Sequence, residues 1–159
     1  MAPYLWELNK IRMMKKKVLF ICVRNTARSQ MAEALFNHVC DDDFEAHSAG
    51  LDPGSLNPLA VEVMQEIGLD ISEQQTKTVF DMFRSGRSFL YVVTIHDDAS
   101  SERPPIFPGV TNRLRWDVPD PAVFRGSYEE KLTRTRELRD ALRAKIEEWC
   151  AELNPAVAA

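Results

Sequence analysis

The sequence predicts a single α/β domain built on a parallel sheet, and three observations carry that reading. Val18-Leu-Phe-Ile-Cys22 and Phe89-Leu-Tyr-Val-Val-Thr-Ile95 are apolar at consecutive positions, as strands buried on both faces are. Segments with helical spacing alternate with the strands. No repeat, low-complexity tract or internal linker divides the 159 residues, a length that buries one core without staples.

Each element follows in order. Residues 1–16 read as an extension, with apolar Leu5 and Trp6 and a basic Lys15-Lys16-Lys17. The segment is expected to be a loosely packed tail or a short docking helix, and Met13 or Met14 offers a second start. The domain itself is expected over 17–150, with 151–159 as a tail. After the first strand, Val18–Cys22, comes a polar loop and then a helix from Ser29 to about Cys40. Met31, Leu35, Phe36 and Val39 form its stripe and Ser29 its cap. Phe44–Ala49 reads as a second strand ended by Gly50 and Pro53. Asn57-Pro58 opens a helix with cap and proline in the favoured order, striped by Val61, Met64 and Ile67 and closed by Gly68. The third strand is Phe89–Ile95, and a shorter one lies near Leu114–Val118. Tyr128–Cys150 is a long helix with Leu132, Leu138, Leu142, Ile146 and Trp149 facing inward.

Composition narrows the function classes. A net charge of −4 argues against a general nucleic-acid binder. No apolar run approaches the roughly 20 residues needed to cross a membrane. Three cysteines, Cys22, Cys40 and Cys150, have no metal-ligand spacing, and their odd number fits a reducing cytoplasm better than a disulfide scaffold.

The chemistry concentrates in Cys22-Val23-Arg24-Asn25-Thr26-Ala27-Arg28-Ser29. In a parallel α/β sheet, ligands bind beyond the carboxyl ends of the strands, where Cys22 falls. A loop running into a helix N-terminus directs backbone N–H groups and a partial positive charge at one point, which suits a tetrahedral oxyanion and favours a thiolate on Cys22. Arg28 can close the cradle with a bidentate contact. Ser29 can donate to the sulfur. Asn25 suits the tight turn because Asn tolerates left-handed backbone angles. Arg24 adds charge, with its side chain expected toward solvent. Downstream, Asp120-Pro121 follows the fourth strand on the same edge. A carboxyl there can protonate a leaving oxygen as Cys22 attacks. Asp117 is read as turn-forming.

These two elements, in this order, resemble the low-molecular-weight protein tyrosine phosphatase superfamily. Arg28-Ser-Gln-Met-Ala-Glu33, Ser48-Ala-Gly50, Asn57-Pro58, Val92-Val-Thr94 and Trp116 with Asp120-Pro121 look most like its arsenate reductase branch. The resemblance covers about Lys17 to Trp149. It implies a four-stranded parallel sheet flanked by helices, with Cys22 as nucleophile, Arg28 as oxyanion clamp and Asp120 as general acid.

Departures from the family pattern bear on the reaction. Thioredoxin-coupled members use two further cysteines, whose positions correspond to His96 and a residue near Pro104, and the second loop cysteine of many relatives is Ala27. Along their helices, Cys40 lies ~15 Å and Cys150 more than ~30 Å from the loop. Both are expected as packed thiols that cannot resolve Cys22, since a disulfide needs Cα atoms within ~7 Å. The resemblance therefore implies an external thiol, glutathione or mycothiol, with a glutaredoxin-type protein, and no tightly bound cofactor. The alternative is a phosphatase acting on phosphotyrosine. Its relatives place aromatic residues directly after the Asp-Pro, where this chain has Ala122 and Val123 before Phe124. A third class, a pure oxyanion-binding module, needs neither a thiol nor an acid. His96 and Asp97 are expected to begin a solvated loop, and His38 and His47 to be structural. Asn25, Glu33 and Ser48 match three ligands of a potassium site in some relatives. Lys77 stands at the fourth position, so no metal is expected.

Overall fold

The computed structural model describes residues 4–6, 14–40, 43–98, 107–110 and 112–154. Four strands, β1 (Lys16–Cys22), β2 (Phe44–Gly50), β3 (Tyr91–His96) and β4 (Arg113–Asp117), form one sheet in the order β2-β1-β3-β4. Every pairing is parallel. Helix α1 (Arg28–Val39) follows β1, α2 (Pro58–Gln65) and α3 (Val79–Arg84) lie between β2 and β3, and α4 (Tyr128–Leu153) ends the chain's regular structure.

The apolar runs explain the layering. On β1, Val18, Phe20 and Cys22 face the core shared with α1, α2 and α4, while Leu19 and Ile21 face a smaller core with Val79 and Met82 of α3 and with Phe89, Val92 and Phe107. A strand covered on both faces has no room for polar alternation, which is why β1 reads as continuously apolar. In the larger core Trp149 of α4 meets Phe20, Phe36, Tyr91 and Trp116, with ring centroids between 5.4 and 6.2 Å. Aromatic packing of this kind, edge-on for Phe20, Tyr91 and Trp116 and tilted for Phe36, ties α1 and α4 to the sheet.

β1 has β2 on one side and β3 on the other, so the chain changes direction of winding at its carboxyl end. That switch point is where such sheets open a crevice, and Cys22 is the last residue of β1.

Several expectations are corrected. β1 begins two residues earlier than predicted and β3 runs from Tyr91 to His96, so His96 belongs to the strand rather than to a solvated loop. The α4 helix continues past Cys150 to Leu153. Helix α3 was not anticipated; Thr78, whose hydroxyl accepts from the Asp81 amide, caps it, and six residues are too few to show a stripe. Ser29 does not cap α1. Ala27 occupies that position without a side-chain cap, and Ser29 lies inside the first turn. Leu5 and Trp6 are exposed. The remainder of the predicted extension through Met13, the second start at Met13, and Pro104 lie outside the described residues.

Candidate active site

The loop from Cys22 to Arg28 is shaped by the segment beside it. Leu51 N–H donates to Cys22 O, Asp52 to Val23 O, Gly54 to Arg24 O and Asn57 to Thr26 O, at 2.8–3.2 Å. With these carbonyls turned outward, the planar trans peptide turns the next N–H groups, on Val23, Arg24, Asn25 and Ala27, to the inner side. The uncapped N-terminus of α1 adds its own donors and positive dipole end to the same point. Gly50 makes the approach possible. A Cβ there would lie 2.9 Å from Asn25 Cβ, Asn25 N and Val23 O.

Asn25 is the pivot. Its φ of 52° is the left-handed turn expected for it, and it is fully buried. Its N–H donates to Cys22 Sγ at 3.1 Å and its Nδ2 to Ser29 Oγ at 2.8 Å. Ser29 Oγ lies 2.8 Å from Cys22 Sγ. That hydroxyl also accepts from Asn25, and either the hydroxyl or the thiol can donate in the contact between them. Two hydrogen-bonding contacts thus meet at Sγ.

A second layer holds Asn25 in turn, of which only the grouping of Asn25, Glu33, Ser48 and Lys77 was implied by the resemblance. Asn25 Oδ1 accepts from Gln30 Nε2 at 3.0 Å and from the Lys77 N–H at 2.8 Å, while Gln74 Nε2 donates to Gln30 Oε1 at 2.6 Å. Lys77 is 52 positions from Asn25, so no local spacing announces the contact. Its Nζ stands 3.8 Å from Glu33 Oε1. Burial pushes the Glu33 carboxyl above its ordinary value, and the charge of Lys77, with the backbone of Ser48, pulls the other way. Among the described residues no cluster of three or more His, Cys, Asp or Glu side chains is placed to hold a metal.

Arg28 is buried, with Nη1 donating to Val118 O at 3.2 Å and Nη2 standing 3.5 Å from Asp120 Oδ2. Asp120 is extended (φ −86°, ψ 119°), as the following proline favours. Its Oδ1 accepts from Ala122 N at 2.9 Å and anchors the short turn Pro121–Val123. The structure therefore gathers Cys22, Asn25, Arg28, Ser29 and Asp120 at one place. Arg24 points outward and pairs with Asp52 at 3.1 Å in the open.

Beside the cradle lies a groove of about 430 Å³ lined by Arg24, Thr26, Ser55, Leu56, Asn57, Pro58 and Ala122. Among the described residues no aromatic side chain lines it. Phe124 is buried instead, its ring under the Arg134 guanidinium at 4.3 Å. A larger cavity of about 690 Å³, between α4 and residues Asp117 to Phe124, includes none of the loop residues.

His96 is buried, with Nε2 2.5 Å from Asp98 Oδ1 and Arg115 Nη2 2.6 Å from the same nitrogen. Asp117 is the last residue of β4 and accepts from the Asp98 amide at 2.8 Å, rather than forming a turn of its own. His47 pairs with Glu45 at 2.6 Å, and burial holds its imidazole below the ordinary histidine value against that carboxylate. The largest correction concerns Cys40 and Cys150. They are not separate packed thiols; they are bonded to each other, with Cα atoms 5.8 Å apart. Counting residues along each helix measured their distance from the loop but could not see that the ends of α1 and α4 meet.

A parallel four-stranded sheet with a cysteine-headed anion loop at its switch point defines the class of protein. The profile of the family described as low molecular weight phosphotyrosine protein phosphatase matches residues 17–159. The arsenate reductase of Shouchella clausii (strain KSM-K16) is 36% identical over 137 residues, 86% of this chain and 96% of that protein. The solved thioredoxin-dependent arsenate reductase of Corynebacterium glutamicum is 30% identical at a TM-score of 0.56, covering 88% of this chain and 66% of that one. The low molecular weight protein tyrosine phosphatase of T. tengcongensis is 25% identical at a TM-score of 0.62, covering 87% and 99%. The chain belongs to the low molecular weight phosphotyrosine protein phosphatase family, and its relatives include both reductases and phosphatases.

Proposed function

We propose that this chain is an arsenate reductase that draws its electrons from an external thiol. Arsenate sits in the cradle of loop N–H groups, with the Arg28 guanidinium turned from Asp120 onto two of its oxygens. Cys22 Sγ attacks arsenic, an As–O bond breaks, and Asp120 delivers a proton so that the oxygen leaves as water. The product is a Cys22 thioester of arsenic(V). A small thiol, glutathione or mycothiol, then displaces Cys22 and forms its own S–As bond. A second thiol, from a glutaredoxin-type protein, attacks that sulfur. The S–As electron pair passes to arsenic, which leaves as arsenite, and the two thiols become a disulfide.

The mouth of the site carries the choice of reaction. The groove beside Cys22 is walled by Leu56, Pro58 and Ala122, with Arg24 at its rim, and among the described residues offers no aromatic face to a phenol ring. The 36% identical arsenate reductase, matched over 96% of its length, supports the same reading. The need for an outside thiol is supported by the placement of the other two cysteines, which meet at the carboxyl ends of α1 and α4, away from the loop that carries Cys22.

The test compares two activities of the reduced protein: arsenite release with glutathione or mycothiol plus a glutaredoxin-type protein, and hydrolysis of an aryl phosphate. Thiol-dependent arsenite release that vanishes in Cys22→Ser is the expected result. Efficient aryl-phosphate turnover without arsenite would assign the chain to the phosphatases, and activity surviving in Cys22→Ser would remove the thiolate mechanism altogether.

A further inference from the structure

Cys40 and Cys150 are 110 positions apart and both nearly enclosed, yet their Cα atoms stand 5.8 Å apart. That separation lies inside the range a disulfide spans without backbone movement. One side chain attends both sulfurs: Asn154 Nδ2 lies 3.4 Å from Cys40 Sγ and 3.7 Å from Cys150 Sγ, while also donating to Cys150 O at 3.3 Å. Cys40 is the residue that ends α1 and Cys150 lies in the last turns of α4, so the pair stands at the opposite helix ends from the Cys22 loop.

We propose that Cys40 and Cys150 are a second thiol–disulfide exchange site, independent of Cys22, whose closure staples the carboxyl end of α1 to that of α4. Exchange runs with a low-molecular-weight disulfide. One protein thiolate attacks a sulfur of the disulfide and releases one small thiol, and the mixed disulfide is then displaced by the second protein thiol, releasing the other. Two electrons pass from the protein sulfurs to the small disulfide, and two protons accompany them. The ends that the staple joins lie opposite the ends that carry Arg28 and follow Asp120, so it holds α1 and α4 together without touching the reacting atoms. The closed loop of about 110 residues is long, and closing long loops restricts the unfolded chain most. A chain whose Cys22 awaits reductant under oxidising conditions is thereby held folded.

The experiment uses full-length Cys22→Ser protein equilibrated in buffers of reduced and oxidised glutathione, then alkylated and weighed. Two alkyl groups are expected in the reduced buffer and none in the oxidised one, with a linked Cys40–Cys150 peptide after proteolysis. The oxidised form is expected to melt roughly 5–15 °C above the reduced form. Cys40→Ser or Cys150→Ser removes that difference. In the otherwise native chain either substitution leaves the thiol-dependent rate within about twofold under reducing conditions. Two alkylatable thiols persisting in oxidised buffer, a stable glutathione adduct on either cysteine, or coincident melting temperatures would each overturn the proposal. The comparison of oxidised with reduced Cys22→Ser protein decides the matter even where a second substitution does not fold. It is also independent of which substrate Cys22 attacks.

Discussion

At the scale of single residues, the site is organised around one sulfur and one asparagine. Cys22 Sγ receives the Asn25 N–H and lies against the Ser29 hydroxyl, and the same Asn25 side chain donates to that hydroxyl. Hydrogen bonds to charged groups contribute about 1.5–3 kcal/mol, roughly a ten- to hundredfold change in rate where the charge matters. Ser29→Ala is therefore expected to lower kcat/KM for arsenate by roughly ten- to hundredfold in steady-state assays. An unchanged rate would show that the hydroxyl does not support the attacking sulfur. The local signals for this arrangement were present in the sequence. Asn25 stands where a left-handed angle is needed, and Arg28 and Ser29 follow at the start of a helix. The role of Ser29 was half right, because a residue read as a cap has its oxygen turned to the sulfur instead.

At the scale of elements, caps and packed faces place the two halves of the site. The long helix α4 starts just beyond the Asp120 loop, and Ser127 caps it by accepting from the Glu130 amide at 3.1 Å, with Glu129 and Glu130 in the favourable first turn. Ser127→Ala is expected to cost about 1 kcal/mol and to lower Tm by roughly 2–4 °C in a thermal melt, with kcat retained. A larger loss would mean that the cap also positions the Asp120 loop. Among the elements, the long apolar strands and α4 were legible because their periodicity extends over many residues. Helix α3 was not, since six residues offer a cap but no repeat.

At the scale of the whole molecule, α2 is bound to α4 by charge as well as by apolar contact. Glu66 receives Arg136 Nη2 at 2.6 Å and Arg139 Nη1 at 2.9 Å, and Arg139 also donates to Val63 O at 2.7 Å. The hydrogen bonds from Arg136, above all, hold the Glu66 carboxyl below its ordinary value. A carboxyl depressed in the folded chain binds protons more weakly there than in the unfolded chain. Its stabilisation is therefore complete above the ordinary glutamate range and disappears as pH falls through the folded value. Glu66→Gln is expected to lower Tm at neutral pH and at low salt, and the gap from the parent is expected to close in acid. Melting curves recorded from pH 7 down to about 3 check this; a gap independent of pH would assign the effect to packing instead.

The sequence by itself determined the fold class, the position of the anion loop and its pairing with Asp120-Pro121. All three rest on patterns within a few residues or on which end of a strand a loop must occupy. Only the tertiary structure decided that Gln30 and the backbone N–H of Lys77 brace Asn25, that Gly50 gives the loop its clearance and that Phe124 turns away from the groove. It also decided that His96 is buried and that Cys40 meets Cys150. These contacts depend on which faces and ends of distant segments come together. Periodicity reports the face an element buries, and helix length reports how far a residue lies along its own axis. Neither reports what stands opposite, because that is set by the packing of the sheet and helices as a whole.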